Sequence, residues 1–199
     1  MKKILTLMMV FCLLLAGSVQ AENTSDENVQ AESEQAESEL EKSDTLVVYF
    51  SCTGTTRGVA EKLADVTGAD LYEIIPAVPY TEEDLNYSDR STRASSEQDH
   101  PDTRPEIGGE DVDLTGYTTV YLGYPIWWGQ QPRILCTFVE SHDFTGMTVI
   151  PFCTSGSSGI GTSGEDLAEK AGTGTWLDGA RHSGDISEEE LKTWVEGLK

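Results

Sequence analysis

An α/β architecture, with a parallel sheet covered by helices on both faces, is the fold class the sequence predicts. Three observations lead to it. Short apolar runs rich in β-branched and aromatic residues recur at 45–50, 119–124 and 148–152, segments with helical spacing of apolar residues follow them, and the turns that leave the runs are rich in Gly, Ser and Thr. Strands alternating with helices imply right-handed crossovers, and in such sheets a ligand sits beyond the carboxyl ends of the strands, near the point where strand order reverses.

The chain opens on Lys2 and Lys3, an apolar run over 4–16, and the small-residue triplet Val19-Gln20-Ala21, the pattern of an export signal over residues 1–21. The run is shorter than the ~20 residues a membrane-spanning helix needs, so no membrane insertion is expected after cleavage. Residues 22–44 are almost all Glu, Ser, Asn, Gln and Ala, with no aromatic residue, and are expected to form an acidic disordered linker because they cannot bury enough to offset their ordering entropy. Residues 45–199 then have the size of one globular domain with one sizeable core.

Within that domain, residues 45–50 are apolar without alternation, which suits a strand buried on both faces. A hydroxyl-rich turn over 51–56 leads to a helix whose apolar positions Val59, Ala60, Leu63, Ala64 and Val66 run up to Gly68. A second strand is expected over 69–75, stopped by Pro76 and Pro79, and a short helix over 81–85 under the Thr81 cap. Residues 86–113 read as polar and irregular, a length that is unusual unless the segment folds over something. A third strand over 119–124, a helix over 132–141 with Pro132 in its first turn, a fourth strand over 148–152, a helix over 163–171 and a fifth strand over 173–177 follow. Ser187 and Glu190 make a capping box that opens the last helix.

The formal charge of the whole chain is −22. So acidic a protein is repelled by nucleic acid and by anionic membrane surfaces, which are therefore not expected partners. Beyond the signal the cysteines are Cys52, Cys136 and Cys153, an odd set without CxxC spacing or a nearby His pair, so neither a disulfide framework nor a metal site is read. His100, His142 and His182 stand alone in polar surroundings and are expected to be solvated, and no catalytic residue is assigned.

Three strand-end loops carry unusual chemistry. The first offers the hydroxyls of Ser51, Thr53, Thr55 and Thr56, the flexible Gly54, and free N–H groups at the start of a helix, a place where phosphate is favoured by orphan donors and helix dipole alike. No Lys follows as in GxxxxGK[ST], so a magnesium triphosphate is not indicated. The second, Pro125-Ile126-Trp127-Trp128-Gly129, places adjacent indoles where a strand meets solvent, and a flat aromatic ligand would cover them. The third, Thr154-Ser155-Gly156-Ser157-Ser158-Gly159, is too rich in Gly to pack by its own side chains, but its backbone can approach a ligand edge closely.

Taken together, Tyr49 to Thr56, Gly123 to Gly129 and Pro151 to Gly159 resemble the flavodoxin family, in particular a bacterial short-chain branch with the pattern YFSxTGxT, GYPIWWG and PFCTSGxSG. The resemblance implies a flavodoxin-like three-layer sandwich, a five-stranded parallel sheet of order 2-1-3-4-5, with FMN at its carboxyl edge. It assigns the phosphate to Ser51, Thr53, Gly54, Thr55 and Thr56, and the isoalloxazine to Pro125, Ile126, Trp127, Trp128 and Gly129, with Trp128 as the stacking residue and Trp127 as the alternative. Thr154, Ser155, Gly156, Ser158 and Gly159 would border the ring's pyrimidine side. The family also implies a peptide beside the flavin N5 that turns as the flavin is reduced, for which Gly129 is suited because it lacks a Cβ.

Two departures are visible. The third loop has no Tyr to cover the outer flavin face, and Gln130 and Gln131 stand where acids are usual. Cys52, beside the phosphate loop, is expected to be inert and to face away from FMN. The function implied is electron transfer outside the cytoplasm, at the cell surface, in a periplasm or in the medium, with a redox partner protein or a small quinone-like acceptor. An FMN-dependent NAD(P)H:quinone reductase is the alternative, with its substrate beneath the 86–113 segment, and a binding module that has lost the cofactor is the third reading.

Overall fold

The computed structural model describes residues 43–198, so the expected signal and most of the acidic linker lie outside the described residues. Strand β1 (Thr45–Tyr49) leads through the first loop to helix α1 (Thr55–Thr67), which ends at Gly68 in the left-handed conformation. Strand β2 (Asp70–Glu73) is shorter than the sequence suggests, because the chain turns at Ile74 to form β3 (Ile75–Pro76), antiparallel to β4 (Ile107–Gly108). Strand β5 (Thr119–Pro125), helix α3 (Arg133–Ser141), strand β6 (Thr148–Thr154) and helix α4 (Ser163–Ala171) follow as expected. Strands β7 (Thr175–Trp176) and β8 (Ala180–His182) share the fifth position, and α5 (Glu188–Gly197) closes the fold behind the Ser187–Glu190 capping box.

The main sheet is parallel in the order β2-β1-β5-β6-β7, with β8 also on β6, which is the doubly wound 2-1-3-4-5 arrangement. Its strands alternate between two cores. Leu46, Val48, Val120, Leu122, Tyr124 and Val149 pack toward α3 and α4, whereas Val47, Tyr49, Tyr121, Ile150 and Phe152 pack toward α1 and α5. Period two along the strand with apolar residues on both faces is what a sheet buried on both sides requires.

Two expectations are corrected. The fifth strand is broken because Pro151 sits in the middle of β6. Leu177 N–H donates to Val149 O on the fifth-strand side, so Pro151, two residues on, faces the same side with no N–H to give. The ladder answers with a bulge: Val149 pairs Trp176, but Phe152 pairs Ala180, one residue out of step.

The second correction concerns residues 81–113. The expected helix over 81–85 is a single capped turn, in which Thr81 N–H and Oγ1 donate to Asp84 Oδ2 and Asp84 N–H returns to Thr81 Oγ1. The real helix, α2 (Arg93–Asp99), lies in the stretch expected to be irregular, with Thr92 as its N-cap. Its buried residues are Ala94, Ser95, Glu97 and Gln98. A helix whose inner face is mostly polar gives no apolar periodicity to read.

Candidate functional site

Because all strands of the main sheet point the same way, the loops after β1, β5 and β6 emerge at one edge, and the strand order reverses between β1 and β5. Beyond that edge lies a cleft of about 620 Å3, a size usual for cofactor pockets. Its walls include Ser51, Thr53, Thr55 and Thr56 from the first loop, Pro125, Ile126, Trp127, Trp128 and Gly129 from the second, and Thr154, Ser155, Gly156 and Ser158 from the third. Of the residues singled out from sequence, Gly54 and Gly159 lie off the wall. The cleft also takes in Cys52, Leu85, Tyr87, Ser157 and Gly184, which sequence reasoning did not assign to it. For Leu85 and Tyr87 a signal was available, a pair of apolar side chains isolated in a long polar stretch.

The first loop is built to leave donors free. Ser51 Oγ accepts from Gly54 N–H at 3.1 Å and closes the turn, and Gly54, at φ 85°, starts α1 without any capping side chain. The first intrahelical bond goes from Gly58 N–H to Gly54 O, so the N–H groups of Thr55, Thr56 and Arg57 have no intrahelical acceptor and their dipoles favour an anion. Thr56 is 1% exposed, and its hydroxyl meets that of Thr154 at 2.8 Å, tying the first loop to the third. Arg57, the nearby cation, points elsewhere, to Glu73 at 2.5 and 2.8 Å. Among the described residues, none that lines the cleft is charged.

The second loop is a tight hairpin. Trp127 and Gln130 exchange backbone hydrogen bonds of 2.8 and 3.0 Å around Trp128 at φ 47° and Gly129 at φ 81°. Two consecutive positive φ values are the mark of a type I′ turn, natural for Gly129 and costly for Trp128. Trp128 is the only non-glycine residue with positive φ among the described residues. The cost of holding it there is about 1–2 kcal/mol.

The two indoles part company. Trp127 is buried between Phe50 and Tyr80, with ring centroids 5.7 and 5.2 Å away, and belongs to the core. Trp128 faces the cleft, its ring tilted against that of Tyr87 at 4.4 Å, with the Arg90 guanidinium 5.7 Å from it. The third loop brings no Tyr to the cleft, but Tyr87, from the segment before α2, lines it beside Trp128.

The third loop is braced from both sides. Ile126 N–H donates to Thr154 O at 3.0 Å, and on the far side Arg181 donates to Ser155 O at 2.9 and 3.3 Å. The Ser155 hydroxyl donates to Ser158 O within the loop. Cys52 forms part of the cleft wall rather than turning away as expected, but burial pushes its thiol up to about 12, so it stays protonated at physiological pH. His100 is exposed as expected, but the other two histidines depart from expectation. His182 is 6% exposed between Phe152 and Trp194, and burial lowers its pKa. His142 is largely buried on Phe138 with Nε2 3.1 Å from Asp111.

A doubly wound sandwich with an uncharged, hydroxyl-lined and tryptophan-walled cleft at its switch point has the features of a flavodoxin-type α/β protein. The family model for flavodoxin matches residues 44–198, and the chain belongs to the flavodoxin family. Among solved structures it is similar to two proteins classed as flavoproteins. The one from Bacteroides eggerthii is 42% identical with a TM-score of 0.73, over 77% of this chain and 96% of that one. The one from Bacteroides uniformis is 41% identical with a TM-score of 0.74, over 78% of this chain and 99% of that one. A flavoprotein from Lactobacillus acidophilus, solved in complex with FMN, shares the fold at 21% identity and a TM-score of 0.56, over 76% of this chain and 97% of that one. No curated protein matches the chain significantly.

Proposed function

We propose that the chain binds FMN in this cleft and acts as an electron-transfer flavoprotein outside the cytoplasm. The observation that carries the reading is the juxtaposition of an uncapped helix N-terminus, at Gly54 and Thr55, with the strained, cleft-facing Trp128. One end suits a phosphate held by N–H groups and hydroxyls, the other a flat heterocycle. The family, and the FMN held by the Lactobacillus acidophilus protein of the same fold, support the choice of ligand.

In this reading Ser51, Thr53, Thr55, Thr56 and the α1 N-terminus hold the phosphate, with Gly54 providing the turn. Trp128 covers one ring face, with Pro125, Ile126 and Gly129 beside it, and Trp127 anchors the hairpin from the core. Thr154, Ser155, Gly156 and Ser158 border the polar edge of the ring, and Gly159, off the wall, closes the loop behind them. When bound, FMN supplies one- and two-electron redox chemistry, while the protein supplies orientation and electrostatics. Tyr87, against Trp128 at the cleft, favours a carrier over a reductase, because it narrows the room in which a second planar substrate could stack.

The carrier would exchange electrons with a redox partner protein or a small quinone-like acceptor. Export rests on the signal-like residues 1–21 and the acidic stretch that follows. The test is direct. Purified protein is titrated with FMN and its absorption followed through stepwise reduction. Quenched flavin fluorescence and a resolved one-electron stage support the carrier, steady NAD(P)H oxidation coupled to a quinone would favour a reductase, and no uptake of FMN overturns both.

A further inference from the structure

Behind the hairpin lies a buried polar cluster that the cleft itself does not use. Gln98, 6% exposed on the inner side of α2, donates from its amide nitrogen to Trp127 O at 2.9 Å and to Gln131 O at 3.2 Å. Carbonyl oxygens only accept, so the amide nitrogen must face them and the orientation of Gln98 is set by its neighbours. Its Oε1 is then buried without a donor among the described residues, as is Oε1 of Gln131. Arg133, 3% exposed, secures Gln98 from the other side: Nη2 donates to Gln98 O at 2.8 Å and to Gln130 Oε1 at 2.9 Å, and Nε to Glu97 O at 3.4 Å. These are the last carbonyls of α2, where a cation is favoured.

The energetics separate position from stability. Two hydrogen bonds gained by Gln98 are set against a buried amide oxygen that loses water, and such terms are of similar size. The effect left over is geometric. The carbonyls of Trp127 and Gln131 bracket the turn, both are pinned to α2, and the residues between them include Trp128 and Gly129 with their positive φ. A backbone conformation that a tryptophan resists persists only where its surroundings over-determine it. We propose that Gln98, locked by Arg133, is the positioning residue of the hairpin: it holds the turn in the left-handed geometry that presents Trp128 and the Trp128-Gly129 peptide to the cleft. The inference rests on the FMN reading, and adds that α2, in the segment that looked irregular in sequence, sets the geometry of the flavin-facing turn.

Gln98→Leu removes the donors and the orphaned oxygen together at similar volume. The expected result is a rise of about tenfold in the FMN dissociation constant, with a modest lowering of the ligand-free thermal midpoint, because the Gln131 carbonyl loses the Gln98 donor. The two one-electron midpoint potentials of the bound flavin should also move relative to each other. In a Gly129→Ala background the same substitution should add little, because both act on one turn. Arg133→Lys keeps the charge, loses the forked donor geometry and should shift the same quantities in the same direction, which covers poor folding of Gln98→Leu. Near-ultraviolet circular dichroism of the ligand-free variants should change as the Trp128–Tyr87 contact loosens, a readout independent of flavin. Unaltered affinity and potentials in both variants, or full additivity with Gly129→Ala, would overturn the positioning role while leaving the FMN reading intact. If the wild type takes up no FMN, the functional reading fails first, and an unchanged dichroism spectrum in both variants then overturns this inference as well.

Discussion

Replacing Trp128 with Asn separates the demands of folding from those of the ligand. Asn tolerates the left-handed region, so the substitution relieves roughly 1–2 kcal/mol of backbone cost at φ 47°. Against that, the ligand-free protein loses the ring contact with Tyr87, about 0.5–1.5 kcal/mol, and the contact with Arg90, about 0.5 kcal/mol because Arg90 is exposed and already bonded to Asp99 at 2.6 Å. These terms nearly cancel, so the unfolding free energy should stay within about 1 kcal/mol of wild type, a change of roughly 2–4 °C in midpoint for a domain of this size. The flavin complex has no such compensation. Losing an aromatic stack together with the apolar area it buries removes about 2–4 kcal/mol, which is roughly a 30- to 1,000-fold weaker complex. Thermal denaturation of the ligand-free protein and fluorescence titration with FMN measure the two quantities side by side. Binding within threefold of wild type would show that Trp128 is not the residue covering the ring, and a loss of more than about 3 kcal/mol in the ligand-free protein would show it to be a core residue instead.

The same geometry makes three further predictions. Thr56→Val keeps the shape but strands the buried Thr154 hydroxyl, so urea unfolding should report a loss of about 1–3 kcal/mol and FMN affinity should fall with it as the first and third loops uncouple. With no charged residue among the described residues of the cleft wall and a chain of formal charge −22, added salt screens repulsion of the phosphate, so FMN affinity measured from low to moderate ionic strength should hold or rise; a steep fall would reveal a cation anchoring the ligand. His182 has a folded-state pKa below the ordinary imidazole value of about 6.5 because burial disfavours the imidazolium. The unfolded chain therefore binds the extra proton first, and the stability that neutral His182 permits is full above about pH 6.5 and is lost as pH falls through the folded value. Denaturant midpoints at pH 7.5 and 5.5 should differ more for wild type than for His182→Gln.

The elements that sequence could deliver are those whose burial is apolar. The run 45–50, the helix that ends at Gly68 and the Ser187–Glu190 box each carry their own local signal, and each is found where that signal puts it. Pro151 carried a signal as well, but its meaning depends on a neighbour in space. A proline in a central strand is tolerated only where the partner has nothing to accept from it, and that partner, residues 176–180, lies far along the chain. Helix α2 failed to declare itself because its inner face holds Ser95, Glu97 and Gln98, side chains buried by hydrogen bonds to Asp89, Tyr80 and Trp127 rather than by hydrophobicity. Hydropathy patterns report transfer free energy, and a residue whose burial is compensated by specific partners is silent in them.

That silence falls on the segment that brings Tyr87 to the cleft and Gln98 to the hairpin. Three loops converge because parallel strands finish at one edge, so any sequence that reveals the strands reveals those loops, and a phosphorylated flat ligand follows from their composition. What packs on Trp128 is a different matter, since Tyr87 and Arg90 arrive from a polar segment held by Thr81, Asp84 and the α2 cap, none of them adjacent to a strand end. On the proposed FMN reading, Tyr87 at the cleft limits the room for a second planar substrate, so Tyr87→Ala should raise any NAD(P)H:quinone activity of the flavin-loaded protein, and an unchanged rate would count against that role. That part of the reading depends on the packing of Tyr87 and Gln98, which the strand-end motifs do not encode.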